Sequence, residues 1–324
     1  MPEMLVCGVV NWDVTLFAEN LPRPGEEVRV GRVIAVPGGK GGNTAVAAAR
    51  ILGPAKVGLV AMLGYDDIAD RQIKILENEG VDTSCIMKQE GVVSGQAYVL
   101  VDSTGEDMIL THAEANKMMT AKHVTGEPVV SAIKQSSMMI IIDPPLEVAA
   151  ALAEQGRKNN KTVIWSPALL SQHGFSVLSR HMDNVDYLIL NEHEAMMLAG
   201  ADDGQNACAE LSRRLGGKKV VTTRGKAGCV FCWDGKKALV PTMDLSSFGL
   251  KTISTVGAGD TFVGAFAAFR LRGLDDVDSI FMASIAAALK TTREETRASP
   301  TGEEIKRYAD DERTILLRRR ITIT

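Results

Sequence analysis

Four short stretches combine acids, amides and glycines at spacings that suit chemistry on hydroxyl and phosphoryl groups. The most telling is Thr255-Val256-Gly257-Ala258-Gly259-Asp260-Thr261-Phe262. Phe262, Ala265, Phe266 and Phe269 recur at helical spacing, so Gly257, Ala258 and Gly259 form the mouth of a buried helix. Free backbone N–H groups and the positive end of the helix dipole can hold developing negative charge at such a mouth. Asp260, in the first turn, can take a proton from an attacking hydroxyl. An acid in a first turn is also an ordinary dipole partner, so Asp260 gains weight only from the residues that accompany it.

Gly38-Gly39-Lys40-Gly41-Gly42-Asn43 offers backbone that a ligand can approach closely, and Asn43 is expected to cap a helix running through Arg50. No G-x-x-x-x-G-K-[ST] and no strand-linked G-x-G-x-x-G occurs, which removes P-loop and dinucleotide-binding readings. Asn191-Glu192-His193-Glu194 directly follows the apolar run Tyr187–Leu190. At the carboxyl end of a parallel strand, an amide and two acids can hold Mg²⁺ or water, while the plainer reading makes Asn191 a helix cap and leaves His193 exposed and idle. Asn11 and Asp13 follow the first apolar run and can hydrogen-bond sugar hydroxyls.

Positioning these groups requires a scaffold that brings strand ends together. Apolar, β-branched runs at 4–10, 57–63, 138–142, 162–165, 187–190 and 219–223 read as buried strands. Helical spacing fills 43–52, 67–78, 147–159 and 206–215 between them, with Gly53-Pro54 as a stop signal. Strict alternation implies a parallel sheet covered on both faces. Segments 15–35 and 95–111 break the rhythm with short alternating patterns, which suits an antiparallel flap outside the main sheet.

The chain has 324 residues, 36 basic and 40 acidic side chains and 45% hydrophobic residues, enough for a substantial core and too apolar for disorder. The small net charge argues against a nucleic-acid partner. Arg318-Arg319-Arg320, the one basic cluster, reads as a solvated tail. Apolar runs are of strand length, which excludes a membrane span. No basic segment precedes 4–10, which reads as a first strand rather than a signal peptide. Five scattered cysteines, an odd number, argue for a reducing compartment and a cytoplasmic location. Cys229-Val230-Phe231-Cys232 lacks a second ligand pair and reads as a buried strand rather than a zinc site.

Taken in this order, the segments resemble the ribokinase-type (PfkB) carbohydrate kinases from about Met4 to Thr292. Pro22-Arg23-Pro24-Gly25-Glu26 with the run from Pro37 to Arg50 is similar to the first family signature, and Ser254–Phe262 to the second, D-T-x-G-A-G-D-x-F. Asn191-x-x-Glu194 matches the N-x-x-E motif between them, and Gly105-Glu106 and His112-Ala113-Glu114-Ala115-Asn116 resemble the ribokinase branch. The resemblance implies one doubly wound α/β domain over 1–324, mostly parallel, with helices on both faces. A small β-sheet lid would come from about 14–35 and 95–112, and would form a homodimer contact.

The implied activity is transfer of the γ-phosphoryl of ATP to a sugar hydroxyl, with D-ribose to ribose 5-phosphate as the expected reaction. Asn11, Asp13, Gly39, Lys40 and Asn43 would contact the sugar, joined by Asp143 where relatives often carry Glu. Asp260 would be the general base, and the amides of Gly257, Ala258 and Gly259 the anion hole. Asn191 and Glu194 would organise Mg²⁺ through water, Thr223, Gly225 and Lys226 would meet the ATP phosphates, and Ser284 would lie at the adenine pocket. Phosphoryl transfer asks for positioning and charge stabilisation, and each part has a candidate. The alternatives are a nucleoside, a sugar phosphate or a fructose-type hexose as acceptor, and a sugar-binding protein without catalysis.

Two departures matter. Ser254 stands where K⁺-using relatives carry Asp, and Thr292-Arg293-Glu294-Glu295-Thr296-Arg297 replaces a Gly-Ala segment. A monovalent-cation site thereby loses a carboxylate, and Arg293 or Arg297 is expected to supply the charge. Asp143 is one methylene shorter than Glu, which enlarges the pocket. Residues 307–324 carry no assignment.

Overall fold

The computed structural model describes residues 2–104 and 106–324; Gly105 of the Gly105-Glu106 pair lies outside the described residues. In chain order the strands are β1 (Met4–Gly8), β2 (Asn11–Ala18), β3 (Val30–Gly38), β4 (Val57–Gly64), β5 (Val81–Asp82), β6 (Ile86–Gln89), β7 (Gly95–Val101) and β8 (Asp107–His112). They continue as β9 (Met138–Ile142), β10 (Thr162–Ser166), β11 (Tyr187–Asn191), β12 (Lys219–Thr223), β13 (Cys229–Trp233), β14 (Lys236–Val240) and β15 (Thr322–Ile323).

The large sheet runs β15-β14-β13-β12-β11-β10-β9-β1-β4-β5, with β6 also on β4. From β12 to β5 its neighbours are parallel, as expected from the alternation, and β13 to β15 add an antiparallel edge. Successive strand residues face opposite layers because the side-chain period of a strand is two. Met4 and Val6 join the helices Lys40–Leu52, Ala258–Leu271 and Asp276–Lys290 in one core. Leu5 and Cys7 join Leu146–Lys158, Glu192–Ala199 and Gly204–Arg214 in the other.

The fold is therefore doubly wound, and small residues bring two of its helices into close contact. A Cβ on Gly264 would collide with the Thr44 carbonyl, so Gly at this position lets Ala258–Leu271 lie directly on Lys40–Leu52. That contact draws the N-terminal turns of both helices together.

The two irregular segments form a separate four-stranded sheet, β3-β2-β7-β8. It is not the fully antiparallel flap expected: β2 and β7 pair parallel, while the outer pairs are antiparallel. The reason lies in connectivity. β2 leaves directly after β1, and β7 follows β6, which runs parallel to β4, so both enter the small sheet in one direction.

Two further expectations are corrected. Arg318, Arg319 and Arg320 are solvated as expected but do not belong to a tail, since Arg318 pairs with Asp278 and the chain then forms β15 against β14. Asn43 does not cap a helix. Gly39, at φ +88°, turns β3 straight into a helix that begins at Lys40, and Asn43 sits inside its first turn. All five cysteines are free and buried, with Cys229 and Cys232 on β13. Among the described residues no helix is long and apolar enough to cross a membrane.

Candidate active site

The cleft lies where β1, β9 and β11 end and where the small sheet joins the body. Gly257, at φ +80°, precedes the helix Ala258–Leu271, so the N–H groups of its first turn point out of the helix beside Asp260. Asn43 Nδ2 donates to Asp260 Oδ2 at 2.8 Å, and the Thr44 hydroxyl donates to the Asp260 carbonyl at 3.3 Å. Burial raises the Asp260 carboxyl above the ordinary aspartate value, while the Asn43 amide and the Lys40 ammonium oppose that rise. A carboxylate made more basic in this way, and held by the Asn43 amide, is suited to accepting a hydroxyl proton.

Lys40 reaches across the cleft to Asp143 Oδ2 at 2.8 Å, and the Leu169 N–H donates to the other Asp143 oxygen at 3.1 Å. Asp143 follows β9 in left-handed backbone, φ +60°, a conformation that aspartate tolerates better than most residues. Burial works against the Lys40 ammonium, but Asp143, Asp260 and Glu194 outweigh it and hold its pKa above the ordinary lysine value. Asp13 extends the acid cluster from β2, and its Oδ1 is buried with no hydrogen-bond partner among the described residues. Burial pushes this carboxyl up to about 6, against the pull of Arg297 and Lys40 and with the repulsion of Asp260. An unpaired buried acceptor beside a cleft suits a ligand hydroxyl. Gly38 lies against this carboxylate, leaving no room there for a Cβ.

Three groups hold these side chains in place: Gln72, which no sequence pattern singled out, Asn116, and Arg297, which was expected at a cation site rather than here. Arg297, 4% exposed, donates to the Gly38 carbonyl at 2.6 Å and to Gln72 Oε1 at 3.0 Å, with Asn43 Oδ1 at 3.4 Å. Gln72 donates in turn to the Asn11 carbonyl at 2.6 Å. Asn116, noted only as part of a motif, donates to Asn11 Oδ1 at 2.8 Å and exchanges hydrogen bonds with the Val10 backbone. The one sequence cue for Gln72 is its place between Ala69 and Leu76 on the buried stripe of its helix.

Asn191 caps Glu192–Ala199 in a reciprocal capping box: its side chain accepts from the Glu194 N–H, and Glu194 accepts from the Asn191 N–H at 3.1 Å. Burial raises the Glu194 carboxyl, and Lys40 and Asp143 are near enough to act on it. An open cavity of about 580 Å³ brings Asn191, Thr223 and Gly225 together with Glu192, His193 and Arg224. Arg224 and Glu192 pair at 3.0 Å in its wall, and His193 is exposed there. Lys226 is exposed on the neighbouring turn and is not in the lining. Ser284 is buried, its hydroxyl against the Cys229 thiol rather than in this cavity.

The structure therefore brings Asn11, Asp13, Gly39, Lys40, Asn43, Asp143 and Asp260 to one cleft, with Asn191 and Glu194 at its rim. The acids can accept protons or hydroxyl hydrogens, and the helix mouth can hold an anion.

The profile of the pfkB family of carbohydrate kinases matches residues 1–302. A ribokinase of Staphylococcus aureus (strain COL) is 27% identical over 311 residues, 94% of this chain and 98% of that protein. The crystal structure of a ribokinase from Thermotoga maritima superposes with a TM-score of 0.84 at 26% identity, covering 96% of this chain and all of the other. An Arabidopsis thaliana ribokinase complexed with ribose and ATP shares the fold at TM-score 0.85 and 22% identity, over 96% of this chain and 99% of that one.

Proposed function

For this chain, which belongs to the pfkB family of carbohydrate kinases, we propose phosphorylation of a pentose by ATP and Mg²⁺, D-ribose giving ribose 5-phosphate. The observation that carries the reading is the bond from Asn43 to the Asp260 carboxylate at the open mouth of a helix, 2.8 Å long. Asp260 takes the proton of the sugar hydroxyl, whose oxygen then bonds to the γ-phosphorus as the bond to the ADP oxygen breaks. The Gly257, Ala258 and Gly259 amides hold the charge that develops on the transferring group. Asn11, Asp13, Gly39, Lys40, Asn43 and Asp143 grip the sugar hydroxyls, and their fixed network supplies the orientation on which such a reaction depends.

The nucleotide phosphates would occupy the cavity beside Asn191, Thr223 and Gly225, with Lys226 on the neighbouring turn as their cation. Ser284 supports the wall of the adenine end from within the core. Among the described residues there is no cluster of three metal-ligating side chains. Mg²⁺ keeps several waters and binds through one or two carboxylates plus substrate phosphates. Glu194 and Asn191 would hold it through water, and the ion would neutralise phosphate charge.

The small sheet is the lid, and it carries a second role. Asp13 and the buried Ala97 lie on its cleft side. The opposite side presents Val33, Tyr98, Met108 and Leu110 across paired strands, with Val33 58% and Leu110 55% exposed. We assign that apolar face to a homodimer contact. The location is cytoplasmic, consistent with five free thiols.

The test is steady-state ADP release across pentoses, hexoses, sugar phosphates and nucleosides. Ribose is expected to give the highest kcat/KM. No turnover with any of them would overturn the kinase reading, and a nucleoside or hexose optimum would overturn the pentose assignment.

A further inference from the structure

Behind the Gly257 turn lies a positive charge that the mechanism above does not use. Lys290, the last residue of the helix Asp276–Lys290, is 0% exposed. Among the described residues its ammonium donates to one acceptor, the Ser254 carbonyl at 3.4 Å. A primary ammonium has three donors and is strongly hydrated in water, so burying it with so little compensation is costly. Burial accordingly pulls its pKa down to about 8, with the Arg293 charge adding to the fall and the Asp260 carboxylate opposing it.

The segment Lys290 holds leads into the anion-hole turn. Ile253 and Ser254 both donate to the Thr291 carbonyl, at 2.7 and 3.1 Å, and Ala258 donates to Thr255 at 3.1 Å. Arg293 and Arg297, the residues expected to supply the missing charge, are engaged elsewhere. Arg293 binds the Ala298 and Ser299 carbonyls and Glu304, and Arg297 binds Gly38. At this place an alkali cation does not fit the chain: a carboxylate is absent at Ser254, and a covalently attached cation already contacts the carbonyl there.

We infer that the Lys290 ammonium is a positioning group that stands in for an alkali cation behind the Gly257 turn, making this enzyme independent of monovalent cations. The inference rests on the kinase reading for its catalytic consequence and on geometry alone for its structural one. An ammonium and K⁺ carry the same charge and are both satisfied by carbonyl oxygens. Tethering the charge to a helix removes the need to bind a free ion.

The experiment compares the wild type with Lys290→Ala in chloride salts of tetramethylammonium, sodium, potassium and ammonium at constant ionic strength. Turnover is followed with the sugar identified above, and melting temperature is followed in parallel with MgADP present. The wild type is expected to vary by less than about twofold among the salts. Lys290→Ala is expected to lose roughly 10–10³-fold in kcat, with sugar KM within about twofold of wild type, the loss typical of a disturbed anion hole. Potassium or ammonium should restore a large part of that loss and raise the variant's melting temperature, whereas tetramethylammonium, too large for the space, should do neither.

A wild type activated several-fold by potassium, or a Lys290→Ala enzyme with unchanged kcat, would overturn the inference. Lys290→Met keeps the stem, and provides the folded comparison if the alanine variant fails to fold; unchanged kcat there overturns it equally. If no sugar is turned over at all, the kinase reading falls. The melting arm still decides the structural claim, with an alanine variant indifferent to potassium counting against it.

Discussion

Replacing Asp13 by Asn should make the protein more stable and worse at holding its substrate, and the size of the gain can be worked out from the carboxyl's surroundings. An ordinary aspartate titrates at 3.8 and this one at about 6. Each pH unit is worth 1.36 kcal/mol, so keeping Asp13 ionised in the native state costs about 3 kcal/mol. The sign follows from proton binding. Between those two values the folded chain binds more protons at this site than the unfolded chain, so the wild type loses stability as pH rises through the window and is flat above it. Asn has the same shape and no charge, and escapes the loss.

Urea denaturation of both proteins should therefore show the variant's advantage growing by about 2 kcal/mol between about pH 4.5 and pH 7, with no further growth above pH 7. The pull of Arg297 and Lys40 on the carboxylate is already contained in that pKa, so the absolute gain at neutral pH is at most about 3 kcal/mol. Sugar affinity should fall in the same variant, because an acceptor for hydroxyls has been weakened. A variant no more stable than wild type at pH 8, or an advantage that does not change with pH, would refute the account of Asp13 as an unpaired acid kept for its ligand.

Other expectations follow from the same geometry. Asp260→Asn should leave sugar binding, measured by calorimetry, nearly intact while lowering kcat by roughly 10²–10⁴-fold, the range for a general base. Because burial raises the Asp260 carboxyl, the acid limb of kcat/KM in the wild type should lie above the ordinary aspartate range, and activity should fall as pH drops through it. Gly38→Ala would force its new methyl into the Asp13 carboxylate; sugar KM should rise by about tenfold or more, with the melting temperature as a control for folding. Leu110→Glu, on the outer face of the small sheet, should convert a dimer to a monomer in sedimentation equilibrium without unfolding the chain.

Much of this architecture could be read from the string of residues because its signals are local. Buried parallel strands are short apolar runs whichever neighbours they acquire, and β1, β4, β9, β10, β11 and β12 fell where those runs lie. The Gly257–Asp260 mouth was equally legible, since glycines followed by a helical apolar stripe specify it within a dozen residues. Asn43 was misread because the glycines before it hide where the helix begins. Only the left-handed turn at Gly39 reveals that the side chain is free to meet Asp260. Arg297, Gln72 and Lys290 belong to no local pattern. Each is a polar group buried by segments far away in sequence; for Gln72 and Lys290 the hint is a polar side chain where helical spacing calls for an apolar one, and for Arg297, in the turn after Lys290, there is none for the role it takes.

The joint between the small sheet and the body runs through the very residues that line the cleft. β3 passes by way of Gly38 and Gly39 into the helix bearing Lys40 and Asn43, and β1 reaches β2 through Val9 and Val10 to Asn11. Arg297 clamps the first crossing and Asn116 the second. A swing of the small sheet would therefore pivot on the residues proposed to grip the sugar. On the proposed reading, the molecule that fills that space would also set the tilt of the small sheet, and recognition and enclosure would be one mechanical event rather than two in succession.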